Sequence, residues 1–278
     1  VSTPQRRRAD ARAIMGGVID LHCHLLPGID DGPDDLGGTL AMAQQHVKAG
    51  VELVAATPHV SWDMPNDAAT IEQRLADVRV ALAVAQIPLE VVRGAEIDVH
   101  EAMRYSDEQL RALALGGGPW LLIEAPLRPG VALMPVVRTL LSRGHRVLIA
   151  HPERSPLLQR DPAALRSLVD AGAATQITAA SFAGSFGRTV RDYADQMLEA
   201  GLVHSVASDA HDALRRPPGI AEPLAAAGLA ELTPLLAEEV PAAILAGDPL
   251  PPVPAWRRRR GGFSKLLDLT SPRARRLR

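Results

Sequence analysis

Six apolar runs in this chain end in, or carry near their ends, side chains that bind metal ions. VIDLHCH ends in His22 and His24, VELVAATPH in His59, and LVHSVASDAH in Asp209 and His211. LEVVRGAEID carries Glu96, PWLLIEAP carries Glu124, and RVLIAHPER carries His151. Asp30 and Asp31 lie in the loop after the first run. One histidine after an apolar run says little. Six runs that all offer a histidine or a carboxylate imply a shared polynuclear metal centre. Imidazole and carboxylate together suit Mn, Fe or Zn. In His-x-His and Asp-x-His the residues are two apart, so on a strand their side chains share a face and can reach one ion. A carboxylate such as Glu96 can bridge two ions about 3.5–4 Å apart, a spacing that serves phosphoester hydrolysis.

The elements that must position these residues are legible as an alternation. VELVAAT, LEVVR, WLLIE and RVLIA are short, nearly continuous apolar runs rich in β-branched residues. Such runs read as strands buried on both faces, as in a parallel sheet. Between them lie segments with helical spacing. DDLGGTLAMAQQHVKAG opens on Asp34 and Asp35 and closes on Gly50, which fits the helix dipole and a glycine C-terminal cap. Further helices are expected at Asp67–Ala85, Val131–Ser142, Pro162–Ala171, Val190–Ala200 and Ala221–Ala227. With QITAAS as the sixth strand there are seven strand–helix repeats, a barrel or an open α/β sheet. A barrel gathers its site at the carboxyl ends of its strands. Ligands from six separate strands favour closure.

Length and composition agree with one barrel-sized unit: 278 residues, 47% hydrophobic, only 3% aromatic. Aliphatic side chains must fill the core. Cys23 is the sole cysteine, which excludes an intramolecular disulfide or a cysteine-rich zinc site and suits a reducing cytoplasm. No apolar stretch approaches a membrane span. Residues 1–17 are expected to be a flexible extension and 18–247 the catalytic unit. Residues 248–278 are expected to be a disordered Pro-rich linker and basic tail. From residue 255 onward there are nine basic residues against Asp268 alone; with a total charge of −2, the remainder carries −10. An acidic body suits an enzyme that gathers carboxylates around cations. The tail could touch a membrane surface or another anionic partner; nucleic-acid binding is not expected.

HCH, ATPH, GAEID, HPER and SDAH, in this order, resemble the polymerase and histidinol phosphatase (PHP) superfamily. DLHCHLLPGIDDGPDD, LAMAQQHVKAGVELVAATPHV, QITAASFAGSFGR and SDAHDALRRPPG resemble more closely its bacterial protein tyrosine phosphatases of capsule and exopolysaccharide loci (the CpsB/YwqE type). The likeness runs from about Val18 to about Ala246. It implies an α/β fold, a distorted, TIM-like (β/α)7 barrel, and a three-metal site that commonly holds Mn2+, with Fe or Zn possible. Carried over, one ion takes His22, His24, Glu96 and Asp209. A second shares Glu96 and adds Glu124 and His151. A third takes Asp31, His59 and His211, with Asp31 favoured over its neighbour Asp30. Arg154 and Arg216 match phosphate-binding arginines, Arg215 being one residue away from the latter. Arginine suits that role because its planar fork makes two hydrogen bonds at once.

The resemblance implies hydrolysis of phosphotyrosine on a bacterial tyrosine kinase by attack of a metal-bridging hydroxide on phosphorus, without a phosphoenzyme. Tyrosine leaves with a pKa of about 10, so metal assistance can suffice without a general acid. A small phosphomonoester such as histidinol phosphate would use the same metals, and a non-catalytic metal-binding scaffold would keep them without turnover. Other features read as surface or structural. His46, His100, His145 and His204 lie off the ligand pattern. Cys23 points to the opposite side of its strand from the two ligands beside it, and a cysteine phosphatase would need arginine where Ile29 stands. Gly116–Gly118 reads as a turn and Tyr193 as core; Phe182 and Phe186 are left open between core and substrate entrance.

Overall fold

In a computed structural model of the chain, residues 16–128 and 133–256 are described. The strands are β1 (Val18–Cys23), β2 (Val51–Ala56), β3 (His59–Val60), β4 (Glu90–Arg93), β5 (Glu96–Ile97), β6 (Trp120–Glu124), β7 (Arg146–Ala150), β8 (Ala174–Thr178) and β9 (Ser205–Ala207). All pair in parallel, in the orders β1-β2-β4 and β3-β5-β6-β7-β8-β9. The two sheets are one surface, because β2 runs into β3 and β4 into β5. The interruptions fall at Thr57-Pro58 and Gly94-Ala95. Pro58 has no N–H to give. A Cβ on Gly94 would lie 2.9 Å from the side chains of both Leu115 and Thr57, so a larger residue there would have to displace them.

The ring closes between its last strand and its first. Cys23 and Ala210 form a parallel bridge, His24 N–H donates to Ala210 O at 2.9 Å, and Asp209 N–H to His22 O at 2.9 Å. Seven strand positions therefore form a closed barrel. Closure sets the ends of β1 and β9, with four of the expected ligands, side by side.

Alternation along the strands divides the core in two. Leu53 and Ala55, Trp120 and Leu122, Leu148 and Ala150, with Ala174, form an inner cluster closed at the amino end by Val240, Ile244 and Leu245. Val54 and Ala56, Leu121 and Ile123, Val147 and Ile149 face outward into a larger cluster shared with the helices. The helices are α1 (Leu36–Lys48), α2 (Ala68–Val84), α3 (Val99–Arg104), α4 (Asp107–Leu113), α5 (Leu133–Ser142), α6 (Pro156–Arg160), α7 (Pro162–Asp170), α8 (Ala179–Ala183), α9 (Arg188–Glu199), α10 (Ala221–Ala226) and α11 (Val240–Ala246). Asp35, Asp67, Ser106 and Asp161 cap α1, α2, α4 and α7 by accepting from backbone N–H groups of the first turn, each cap contributing about 1 kcal/mol.

Two boundaries depart from expectation. The sixth run is strand only through Thr178; the following Ala179–Ala183 coils into α8, so QITAAS splits between two elements. The Pro-rich stretch, expected to be a loose linker, lies against the barrel as far as Trp256. There Trp256 N–H donates to Leu198 O at 3.0 Å, and the Val253 and Trp256 side chains pack on the outer cluster. The start expected for the helix at Val131, the extension over residues 1–15 and the basic tail from 257 lie outside the described residues.

Candidate metal centre

The inner rows that fill the barrel continue upward into polar side chains. On β6 the row is Trp120, Leu122, Glu124; on β8 it is Ala174, Gln176, Thr178. On β1 a bulge changes the phase. Asp20 pairs with Val54 and Cys23 with Ala56, so three steps of β1 match two of β2. Ile19 and Leu21 belong to the inner cluster, yet His22 and His24 also face the site, and Cys23 packs outward. An extra residue of this kind re-aims the side chains beyond it. His151 and Asp209, just beyond β7 and β9, take left-handed backbone conformations, with φ of 32° and 52°. Such conformations cost roughly 1–3 kcal/mol each in a side-chain-bearing residue, and at both positions they carry a ligand-type side chain toward the mouth.

His22, His24, Glu96 and Asp209 converge on one point. His22 Nε2 is 3.3 Å from His24 Nε2, 3.2 Å from Glu96 Oε2 and 3.5 Å from Asp209 Oδ1. His24 Nε2 lies 3.4 Å and 3.6 Å from the same two oxygens. The other ring nitrogens are already engaged: His22 Nδ1 with Gln176 Oε1 at 3.1 Å, and His24 Nδ1 with Asp30 Oδ2 at 2.7 Å. Those acceptors place the ring protons on Nδ1 and turn the Nε2 lone pairs toward each other. Glu96 Oε2 is buried without a hydrogen bond. Lone pairs gathered around a buried unsatisfied carboxylate oxygen are what a divalent cation satisfies, so the residues fit a metal.

Glu96 is the hub of the remainder. Its Oε1 meets His151 Nε2 at 2.7 Å and its Oε2 meets His59 Nδ1 at 3.1 Å. Ligand atoms come within 4.8 Å of one another in four sets: His22, His24, Asp209; His22, Glu96, His151; His59, Glu96, Glu124; and His24, Asp31, His59, His211. All nine expected ligand residues are therefore brought together. The expected grouping of Glu124 with His151 differs in detail, since Glu124 falls with His59 and Glu96. The two neighbouring aspartates do different things. Asp31 Oδ1 faces His211 Nε2 at 3.2 Å and His59 Nε2 at 3.5 Å. Asp30 is turned inward, on His24 and on the backbone N–H groups of Gly32 (3.0 Å) and His59 (3.1 Å).

Charge rather than burial decides most protonation here. Burial alone would keep His24 neutral, but Asp30 and Glu96 push its pKa up to about 10. Burial works against the Glu96 carboxylate too, and His22, His151 and His59 hold it well below the usual range. The same balance lowers Asp209, through His22, His151 and Arg216. Glu124 goes the other way, to about 8, because burial is reinforced by Glu96 and Asp98. Metal binding to such a set must displace protons, so occupancy rises with pH.

Two arginines complete the mouth. Arg154 Nη1 and Arg216 Nη2 each donate to Asp209 Oδ2 at 2.6 Å. Arg154 stacks over Phe186 at 4.5 Å, which places Phe186 at the site, while Phe182 and Tyr193 are core. Arg216 Nε is buried and unpartnered. Arg215 is exposed, with its backbone N–H on Asp212. The arginine that points inward is Arg216.

Several supporting residues escaped the sequence reading. Gln176 orients His22. Glu153, buried, accepts from Ser181 Oγ at 2.7 Å and Thr178 N–H at 3.1 Å, tying the loop of Arg154 to β8. Asp20 accepts from the N–H groups of His22 and Ser208, locking β1 to β9. Gln176 and Asp20 were findable as polar residues inside runs that are otherwise apolar or ligand-bearing; Glu153 had no signal, because its partners Thr178 and Ser181 are remote in sequence. The off-pattern histidines lie outside the centre. His46 is buried against Cys23, His145 bonds Asp107, His204 bonds Thr175, and His100 is exposed.

Residues 18–229 match the family model for capsular polysaccharide synthesis, CpsB/CapC. The chain belongs to that family. It is 35% identical to the tyrosine-protein phosphatase YwqE of Bacillus subtilis over 202 residues, covering 72% of this chain and 79% of that one. It is 29% identical to the tyrosine-protein phosphatase CpsB of Streptococcus pneumoniae over 213 residues, 72% of this chain and 86% of that one. The fold superposes on a crystal structure from work on these two proteins, described as unique metal-dependent tyrosine phosphatases. The TM-score is 0.75 and the identity 30%, with 86% of this chain and all of that one covered. Dihydropyrimidinase from Brevibacillus agri, at TM-score 0.51 and 13% identity, covering 82% of this chain and 70% of that one, shares the fold alone. Among the described residues no helix is long and apolar enough to cross a membrane.

Proposed function

We propose that this chain is a metal-dependent protein-tyrosine phosphatase of an exopolysaccharide pathway, acting in the cytoplasm on phosphotyrosine of a bacterial tyrosine kinase. The observation that carries the reading is Asp209. One of its carboxylate oxygens faces His22 and His24, and the other takes hydrogen bonds from Arg154 and Arg216. Metal ligands and anion-binding arginines thus meet at one carboxylate.

The ligand assignment is His22, His24, Glu96 and Asp209 for one ion, Glu96 and His151 for a second, which Glu124 would join from its place beside His59 and Glu96, and Asp31, His59 and His211 for a third, within a catalytic unit spanning 18–247. Asp30 and Gln176 orient the imidazoles of His24 and His22, as outer carboxylate and amide groups do for ligating histidines. Bound ions, proposed to be Mn2+, supply Lewis-acid charge and an activated water. Arg154 and Arg216 exchange their bonds to Asp209 for bonds to phosphoryl oxygens and stabilise charge as the P–O bond to tyrosine breaks. Phe186 holds Arg154 flat against its ring. Hydrolysis of a phosphotyrosyl peptide beside histidinol phosphate, with Mn2+ and with a chelator, tests the reading. Mn-dependent preference for the peptide is expected. Preference for histidinol phosphate would keep the centre and overturn the substrate, and metal binding without turnover would leave only a scaffold.

A further inference from the structure

The described residues include eight large apolar side chains exposed to solvent, and they are not spread evenly. Six lie where the chain leaves the carboxyl ends of the strands or in the first elements that follow: Leu36, Trp62, Met103, Leu127, Leu157 and Leu214. The other two, Val80 and Val84, sit on the outer face of α2. Among the described residues, the connections at the opposite end of the barrel carry none. Trp62, Leu127 and Leu214 each stand three residues beyond a ligand-type residue, namely His59, Glu124 and His211. Trp62 is 79% and Leu214 89% exposed, values that a folding role does not explain, since neither side chain is covered by its own chain.

We infer that this apolar rim receives the polypeptide flanking the phosphotyrosine, and that it selects segments with large apolar residues beside the phosphorylated tyrosine. The inference rests on the phosphatase reading and deepens it. An occupant of this end must satisfy two features at once: an anionic tip for Arg154 and Arg216, and apolar surface alongside. A small polar phosphomonoester meets the first and leaves the rim wet. A phosphotyrosyl segment with apolar neighbours meets both. Trp62 is the residue type that most often dominates such contacts.

The test uses the full Mn-loaded chain, a Trp62→Ser/Leu214→Ser double variant and a Val80→Ser/Val84→Ser control. Substrates are p-nitrophenyl phosphate and two phosphotyrosyl peptides, one flanked by leucines and one by glycines. The wild type should prefer the leucine-flanked peptide. The rim variant should lose roughly tenfold in kcat/KM for that peptide relative to p-nitrophenyl phosphate. The loss should be carried by KM, and the control should keep the wild-type ratio. Binding of non-hydrolysable phosphonate versions of both peptides gives a readout that does not need turnover. If nothing is hydrolysed but the rim variant binds the leucine-flanked analogue more weakly, the docking surface stands and the phosphatase reading falls. Equal affinity of wild type and rim variant for that analogue overturns the inference. So does a shift of the rim variant from dimer to monomer in sedimentation with peptide binding unchanged, which would assign the rim to a second copy of the chain.

Discussion

Strand β1 serves two clusters built from the same residue types. In the mouth of the barrel, His22 and His24 face Glu96 and Asp209. On the outward side, Cys23 Sγ lies 3.3 Å from His46 Nε2, and His46 Nδ1 is 3.8 Å from Asp20 Oδ2. By residue type the second could pass for a nucleophile, base and acid. All three of its side chains are sealed from solvent. With no strong counter-charge, burial decides: His46 falls to about 3, Asp20 rises to about 6, and the Cys23 thiol is pushed well up, so none is poised to react. In the mouth, burial is as deep, but at His24 and Glu96 opposite charges outweigh it, and His24 rises to about 10. Residue type proposes chemistry; counter-charge and access dispose of it.

The largest expected effect comes from breaking the mouth. Asp209→Ala or His151→Ala should lower kcat/KM by roughly a thousandfold or more, with reduced metal content by elemental analysis and an unchanged circular dichroism spectrum. Full activity with metal retained would show that the ligand set is wrong. Next, Arg216→Ala should lower kcat/KM roughly a hundredfold while metal content holds, and Arg215→Ala should change little. The reverse order would move the phosphate contact to Arg215.

A subtler cut separates the two aspartates. Asp30→Asn should weaken metal affinity by about 10–100-fold, through the misorientation of His24, as read by competition with a fluorescent chelator. Unaltered affinity would reduce Asp30 to a loop-forming residue.

The smallest effect concerns the sealed cluster. Cys23→Ser and His46→Leu should leave turnover within about twofold when the protein is folded. Their signature is in stability against pH. His46, depressed in the fold, contributes stability that is present above its unfolded value of 6.5 and lost as pH falls from there toward 3. Asp20, raised in the fold, contributes stability present below 3.8 and lost as pH rises through 6. Between about pH 4 and 6 the two nearly cancel. Without His46, the Asp20 contribution stands alone. The difference in unfolding free energy between His46→Leu and wild type should then grow more unfavourable from pH 4 to 6, by at most about 1.4 kcal/mol per pH unit. A pH-independent difference would mean that His46 takes up its proton in the fold as readily as in the unfolded chain.

Much of this was legible because it is local. Apolar runs with β-branched residues marked the strands, acidic residues such as Asp35 and Asp67 marked helix starts, and i, i+2 spacing paired His22 with His24. The ordered ligand types pointed to a polynuclear centre before any contact was known. What was not legible depends on partners far apart in the chain. Asp30 and Asp31 are indistinguishable by type; His59 and His211 separate them only after the ring closes. Arg215 and Arg216 differ only in which way the loop after His211 turns.

The sequence by itself pointed to the barrel class, to all the candidate metal-ligand positions except the choice between Asp30 and Asp31, and to the end of the barrel where they collect, because alternation and strand order follow from the pattern of side chains along the chain. Only the tertiary structure decided the bulge that turns His22 inward, the convergence of Arg154 and Arg216 on Asp209, the burial of His46 and the one-ended distribution of exposed apolar residues. Those are properties of closure: which groups share a low-dielectric space, and with what charges, is set by contacts across the ring, and no spacing along the chain encodes them.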